Sequence, residues 1–251
     1  MYPIIFKYKF LTVGGYGIML GLGFYIAFLL LEREFKLRKM DPELAYKILL
    51  TVIPSAIVGA KIFHIFENLD QFFQDPAGMI FSGAGLSVYG GYIVAILASI
   101  VVIIKNKENV LNVLDIASAP MALGYAIGRI GCHVSGDGCY GITTTSFLAT
   151  AYPNGIVPST AAVIPAPLFE SLVSFIILIV LLQLRKRELP FGLIFFTYLI
   201  MNGMARFSVE FFRLNPKAAF SMTQAQIIAI FFCITGIIGI YLVRTRSGKQ
   251  V

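Results

Sequence analysis

The sequence predicts an all-α polytopic membrane protein. It would have about seven transmembrane helices, the N-terminus outside, the C-terminus in the cytoplasm and a small extracytoplasmic head. Three observations predict it. Of the 251 residues, 58% are hydrophobic and 13% are charged, roughly half the charge of a soluble domain. Seven apolar runs, about 11–31, 44–66, 86–104, 111–133, 165–184, 190–212 and 223–243, approach or exceed the roughly 20 residues that cross a bilayer as a helix. The basic residues, finally, alternate between the segments that join those runs. The composition excludes collagen-like, disordered and disulfide-scaffold chains.

The formal net charge of +7 would by itself suit a nucleic-acid partner, but the placement of the charges argues otherwise. Twelve of the 20 Lys and Arg fall in 32–41, 105–109, 185–188 and 244–249. The alternate segments hold four, Lys7, Lys9, Arg213 and Lys217. This is the positive-inside pattern, so the expected partner is a lipid bilayer and no nucleic acid.

Taken in order, the first run follows MYPIIFKYKF and has no small-residue cleavage site, so it is expected to be a retained span. The second carries Lys61 and His64 on one face, where snorkelling is the default for the lysine. An outer segment, 67–85, holds Glu67, Asp70 and Asp75. The third run opens with LSVYGGYIV, which includes Tyr89, Gly90 and Gly91. The fourth contains Asp115 and Arg129 and gives way to 134–164, rich in Ser, Thr, Pro and Gly, the expected head loop of a single domain spanning 1–251. The fifth begins after Pro165 and Pro167, with Glu170 near its start, where the helix dipole favours a carboxylate. The sixth holds Arg206 and Glu210. The seventh is apolar, and its Cys233 reads as core. No internal repeat is visible, which disfavours an inverted-repeat transporter. With no Trp in the chain, an interfacial belt would come from Tyr and Phe.

Charges inside apolar runs carry the functional signal, because an unpaired one costs a few kcal/mol or more in a bilayer. Arg206, Glu210 and Arg213 stand at i, i+4 and i+7 and share a helix face. They fit either an internal Arg206–Glu210 pair that holds the helix in the bundle, or an Arg206 open to an anionic headgroup. A guanidinium is a rigid fork matched to phosphate oxygens, so two from different helices would clamp a phosphodiester.

The second cluster is GYAIGRIGCHVSGDGCYG, residues 124–141, in which Arg129, His133 and Asp137 follow one another at i+4. Its glycines also suit close helix packing. Cys132, His133, Asp137 and Cys139 admit a metal reading, and Cys132 with Cys139 a disulfide reading. Neither pattern is specific, and no metal or cofactor is expected. Tyr16 in VGGYGIM and Tyr89 stand near expected outer helix ends, either as belt residues or, beside their glycines, as lipid contacts.

Together these residues resemble the bacterial prolipoprotein diacylglyceryl transferases over nearly the whole chain. The likeness rests on Tyr16–Gly17, Gly59–Phe63, Tyr89–Gly90–Gly91, Gly128–Arg129–Ile130–Gly131 and Pro165 with Leu168–Phe169–Glu170. Its most specific piece is Arg206-FSV-Glu210-FF-Arg213, followed by Gln226. The resemblance implies a transferase of the bacterial cytoplasmic (inner) membrane. It would move the diacylglyceryl group of phosphatidylglycerol to the lipobox cysteine of a pre-lipoprotein, forming a thioether and releasing glycerol phosphate. It further implies that Arg129 and Arg206 hold the phosphate and that Tyr16 and Tyr89, with Gly90 and Gly91, position the headgroup. Glu210 would orient Arg206 beside Arg213, and Gly141 would serve as the loop glycine.

The chain departs from the family segment Gly-Arg-x-Gly-Asn-Phe-x-Asn-x-Glu-x-x-Gly. Cys132 and Ser135 replace the asparagines, His133 the phenylalanine and Asp137 the glutamate, and Gly141 comes one residue late. A His-Pro pair becomes Ile164–Pro165. His133, Tyr89 and Asp137 are all candidates for the general base, and an imidazole has the best ordinary pKa for that work. The alternatives are a phospholipid-dependent transferase with a different acceptor and a non-catalytic lipid-binding or transport protein. Transport is disfavoured because runs five and seven are almost purely apolar.

Overall fold

The computed structural model describes residues 3–8, 11–82 and 87–247. The chain begins with strands β1 (Ile4–Tyr8) and β2 (Leu11–Gly14), then helices α1 (Gly15–Leu37) and α2 (Glu43–Glu67). Two short helices follow, α3 (Leu69–Gln74) and α4 (Pro76–Phe81), and then α5 (Val88–Lys105) and α6 (Val110–Ser135). Strands β3 (Thr150–Tyr152) and β4 (Ser159–Val163) precede α7 (Ala166–Leu184) and α8 (Leu193–Glu210). Strands β5 (Lys217–Ala219) and β6 (Met222–Thr223) lead into α9 (Gln224–Ser247).

Each of the seven apolar runs is largely helical, but the all-α expectation is corrected to mostly helical. Three two-stranded antiparallel ribbons join the helices, β1 with β2, β3 with β4 and β5 with β6. The first run shows why. Leu11–Gly14 pair with Ile4–Tyr8 instead of starting the helix, and a β-branched Thr-Val pair favours that choice. Helix α1 then continues past its apolar stretch to Leu37, supported by a 2.5 Å Glu32–Lys36 pair at i, i+4.

Five helices, α1, α2, α6, α7 and α9, are long and apolar enough to cross a membrane, and α5 supplies a shorter apolar stretch, Gly90–Lys105. Helix α8 carries Arg206 and Glu210 in its last turns. By length and composition this is a multi-pass membrane protein. Large apolar side chains point outward on these helices, among them Leu50 at 73% exposure and Tyr241 at 68%. Such a surface suits hydrocarbon rather than water.

The described residues form two compact units, 32–113 and 1–31 with 114–251. In the first, α2 and α5 meet at glycines. A Cβ on Gly59 would lie 2.6 Å from the Val94 Cβ, and one on Gly91 would lie 3.1 Å from the Ala56 carbonyl oxygen. Gly90 is buried against Phe63 and Gly59 in the same seam. Small residues there let two backbones approach closely. Lys61 does more than snorkel, because its Nζ donates to the Ser82 carbonyl at 2.9 Å and hydroxyl at 3.1 Å.

In the second unit, Ala119, Ala122, Ile177, Leu181 and Ile194 form a core where α6, α7 and α8 meet. Helix α1 approaches α6 at Gly23, where a Cβ would stand 3.3 Å from the Gly124 carbonyl oxygen. Asp115, the unexplained charge of the fourth run, is buried and caps α8. Its two oxygens each accept a backbone N–H, from Gly192 and Phe195, at 2.7 Å. A carboxylate there meets the free donors and the positive end of the helix dipole. Gln226 belongs to a capping box on α9. The Gln226 Oε1 accepts from the Thr223 N–H at 2.9 Å, and the Thr223 Oγ1 accepts from the Gln226 N–H at 3.2 Å.

After Ser135 the chain turns sharply through Gly136 (φ 60°) and Gly138 (φ 88°), conformations that favour glycine. Gly141 then donates to the Ile164 carbonyl at 2.8 Å and bridges to Arg213, while Ile142 donates to the Phe212 carbonyl at 2.8 Å. The 134–164 segment is thereby laced to the entrance of α7 and the exit of α8.

Candidate functional site

The site is built around one carboxylate. Glu170 is the only ionisable residue in α7, and its side chain is 3% exposed. Its Oε2 pairs with Arg129 Nε of α6 and accepts from the Tyr125 hydroxyl at 2.7 Å. Its Oε1 accepts from Arg206 Nη1 at 2.6 Å and from Arg213 Nη1 at 3.4 Å. Arg206 also reaches along its own helix, with Nη2 2.9 Å from Glu210 Oε2. Asn215 completes the group by donating to Glu210 Oε1 at 2.6 Å. The Arg129 guanidinium lies 5.0 Å from the centre of the Tyr125 ring, within cation–π range.

Burying five charges is costly unless they pair, and here they do. Three guanidiniums stand against two carboxylates, which leaves an excess of one positive charge. Arg206 has the most open side chain, 20% exposed against 15% for Arg129 and 8% for Arg213. The Arg213 Nε is buried with no hydrogen-bond partner among the described residues. A group of fixed donors with net positive charge and an unfilled N–H is suited to a further anion.

An apolar groove of about 340 Å³ is built on α7 and α8, lined by none of these charged residues. Its walls include Phe169 and Val173 of α7, Val209 and Phe212, and Leu148 and Ile164 from the head segment. Phe169 and Val209 adjoin Glu170 and Glu210 in sequence, so the helices that carry the carboxylates also form the groove. The arrangement can hold a molecule with an anionic end and an apolar body.

On the head side, His133 Nδ1 lies 2.9 Å from the Tyr152 hydroxyl. Tyr152 is buried and stacks on Tyr140 with ring centres 5.0 Å apart. Burial, together with the nearby Asp137 and Tyr140, pushes the Tyr152 phenol up to about 12, so it stays protonated at neutral pH. Asp137 Oδ1 accepts from the Cys139 N–H at 3.1 Å. Donor atoms of Cys132, Asp137 and Cys139 lie within 4.8 Å of one another.

The structure thus brings Arg129, Arg206, Glu210 and Arg213 together and bridges Gly141 to Arg213. The Arg206–Glu210 pair exists, and Arg206 is shared with Glu170 as well. His133 and Asp137 sit on the head side of the same unit. Tyr16 is partly exposed on α1, beside Gly131. Gly90 and Gly91 belong to the other unit and pack against α2; the Tyr89 side chain lies outside the described residues.

Sequence reasoning missed three partners and the central role of a fourth residue. Tyr125 stands four residues before Arg129, a spacing that could have marked it. Glu170 was legible as a lone charge but not as the hub. Tyr152 and Asn215 left no signal in spacing.

The prolipoprotein diacylglyceryl transferase family profile matches residues 3–242, and the chain belongs to that family. It is 35% identical to the phosphatidylglycerol–prolipoprotein diacylglyceryl transferase of Leptospira interrogans over 248 residues, covering 88% of this chain and 78% of that one. An enzyme of the same name from Clostridium perfringens, the second so numbered there, is 31% identical over 96% of this chain and 94% of its own. The Dehalococcoides mccartyi enzyme is 31% identical over 99% and 95%.

Proposed function

We propose that the protein transfers the diacylglyceryl group of phosphatidylglycerol to the lipobox cysteine of pre-lipoproteins in the bacterial cytoplasmic membrane. The cysteine sulfur attacks the glyceryl carbon that carries the phosphate ester. A carbon–sulfur bond forms and the carbon–oxygen bond breaks. The phosphate keeps the electron pair and leaves as glycerol phosphate, and the thiol proton passes to a base on the protein. Charge builds on the leaving phosphate, so fixed positive donors lower the barrier.

The observation that carries this reading is the convergence of Arg129 and Arg206, from separate helices, on Glu170, whose helix also lines an apolar groove. Glu170 holds both guanidiniums in place before lipid arrives, and their remaining N–H groups engage the phosphate. Glu210 orients Arg206, and Arg213 adds charge. Tyr16 positions the headgroup, while Asp137 and Gly141 border the acceptor thiol. His133 is the base. In the tautomer whose Nδ1–H donates to the Tyr152 oxygen, the Nε2 lone pair is left to take a proton from a thiol of ordinary pKa about 8.5.

The same reading treats 1–251 as one integral membrane domain of about seven spans, N-terminus outside and C-terminus in the cytoplasm. Residues 134–164 then form the extracytoplasmic head, where a secreted pre-lipoprotein arrives. The test is incubation of the protein with phosphatidylglycerol vesicles and a lipobox peptide. A diacylglyceryl mass gain on the peptide, absent from its Cys-to-Ser control, is the expected result. Consumption of lipid without modification of the cysteine would overturn the choice of acceptor, and no consumption would overturn the reading.

A further inference from the structure

Cys132 and Cys139 lie in the same short segment as the proposed base, yet transfer uses neither. Cys132 is buried in the last turn of α6, and Cys139 is half-buried in the loop that follows. Between them Ser-Gly-Asp-Gly turns the chain back on itself, through left-handed bends at Gly136 and Gly138. The turn is held from outside: Val157 donates to the Gly136 carbonyl at 2.9 Å, and Ile156 to the Ser135 carbonyl at 3.0 Å. The fold thereby brings the two sulfurs within 4.8 Å of each other.

We propose that Cys132 and Cys139 are a reversible disulfide site, which closes when the protein meets a small-molecule or protein disulfide. Closure draws the sulfurs to about 2.05 Å, and the left-handed bends at Gly136 and Gly138 already fold the loop back toward α6.

Cys139 is the attacking group. The Cys132 hydrogen bond, aided by the positive Arg213, outweighs burial and Asp137 and lowers its thiol to about 7. A thiol that ionises near ambient pH is close to the optimum for exchange. The Cys139 thiolate attacks the incoming disulfide RSSR, forming a mixed disulfide and releasing RS⁻. Cys132 then gives up its proton, and its sulfur displaces the second RS⁻ from Cys139. Two protein thiols become one disulfide, and RSSR, having gained two electrons and two protons, leaves as two RSH.

The surroundings favour this chemistry over a metal ion at the same atoms. Arg129 Nη1 lies 3.8 Å from Cys132 Sγ, and Arg213 acts on Cys139. Two guanidiniums repel a divalent cation while stabilising thiolates. One Asp137 oxygen is already engaged by the Cys139 N–H. The bond would tie the loop to α6 one turn beyond Arg129, and Gly141, the residue bridged to Arg213, comes two residues later.

Cys233 is a built-in control. It sits on α9, its thiol directed at the Ile200 carbonyl oxygen at 3.8 Å. The experiment equilibrates the full chain, in phospholipid nanodiscs, with reduced and oxidised glutathione. An acid quench, denaturation and labelling with a polymer-linked maleimide then count the thiols. All three cysteines should label when reduced and Cys233 alone when oxidised, with full labelling restored by dithiothreitol. A Cys233→Ser chain should lose all labelling on oxidation, and Cys132→Ser should instead trap glutathione on Cys139. Three labelled cysteines under every condition would overturn the proposal. So would labelling restored by a chelator but not by reductant, which is the metal outcome. The count does not read transfer, so either result leaves the proposed activity to its own test.

Discussion

Glu170 of α7 and Arg206 of α8 meet at 2.6 Å, and that contact is the centre of a charge cluster rather than an isolated pair. The same carboxylate takes Arg129 and Arg213. Glu170→Gln keeps the shape and removes the charge, leaving three buried guanidiniums with one carboxylate. Breaking a buried pair costs about 3–5 kcal/mol. Thermal unfolding in detergent should show a clear loss of stability, with transfer lost as well. An unchanged unfolding temperature would mean that the arginines do not depend on Glu170.

Arg206 spans two carboxylates at once, through Nη1 to Glu170 and Nη2 to Glu210. A lysine has the charge but not the planar fork. Arg206→Lys should therefore retain membrane insertion and lower kcat by about 100-fold, the usual scale for losing a preorganised donor to a developing anion. Arg129→Lys should behave alike. A steady-state assay separates this from weak binding: a rise in KM alone would make the arginines binding groups and not stabilisers of the leaving phosphate.

His133 and Tyr152 form the pair that the proposed proton transfer needs. The base must be neutral to accept a proton, so wild-type activity should fall as pH drops through the imidazole pKa. His133→Asn should remove that acid limb and slow transfer by about 10²–10⁴-fold at higher pH. Tyr152→Phe should leave the limb in place but weaken activity, because it frees the ring without removing it. If His133→Asn keeps the acid limb, the base is another group, Asp137 or Tyr89.

The sequence showed what depends on spacing along one helix and hid what depends on meeting across helices. All seven apolar runs became helices, and the Arg206–Glu210 contact followed from i, i+4 alone. The ribbons at 4–14 and 217–223 were hidden because short strands leave a weak periodic signal beside long apolar runs. Asp115 looked like a misplaced charge, since its partners, the Gly192 and Phe195 amides, lie far along the chain. Glu170 was read as a cap for the same reason: nothing in local spacing says that three arginines will converge on it.

Gly90 separates packing from substrate contact. It is buried in the α2–α5 seam, where an added Cβ would run into Phe63 and the Gly59 carbonyl oxygen. Overfilling such a contact costs about 1–3 kcal/mol. Gly90→Ala should lower the unfolding temperature, and Gly59→Ala, in the same seam, should do so to a similar degree. If Gly90→Ala instead raises KM for lipid with unfolding unchanged, its role is headgroup contact, as the family motif suggests.

Cys139 offers a pH dependence whose sign is fixed by its neighbours. Its thiol is lowered from its ordinary value to about 7, first by the Cys132 hydrogen bond, with Arg213 adding to the effect while burial and Asp137 oppose it. A depressed pKa means that the thiolate predominates above about pH 7 and is lost below it. Iodoacetamide alkylation of reduced protein, read by peptide mass, should be half-maximal near that pH at Cys139 and fall about tenfold per unit beneath it, following the thiolate fraction. Asp137→Asn removes a negative charge that disfavours the thiolate, so the profile should move to lower pH. Arg213→Gln removes a positive charge that favours it, so the profile should move to higher pH. The opposite shifts for the two variants are what a general loss of folding would not produce, because unfolding would carry both toward the ordinary thiol value of about 8.5.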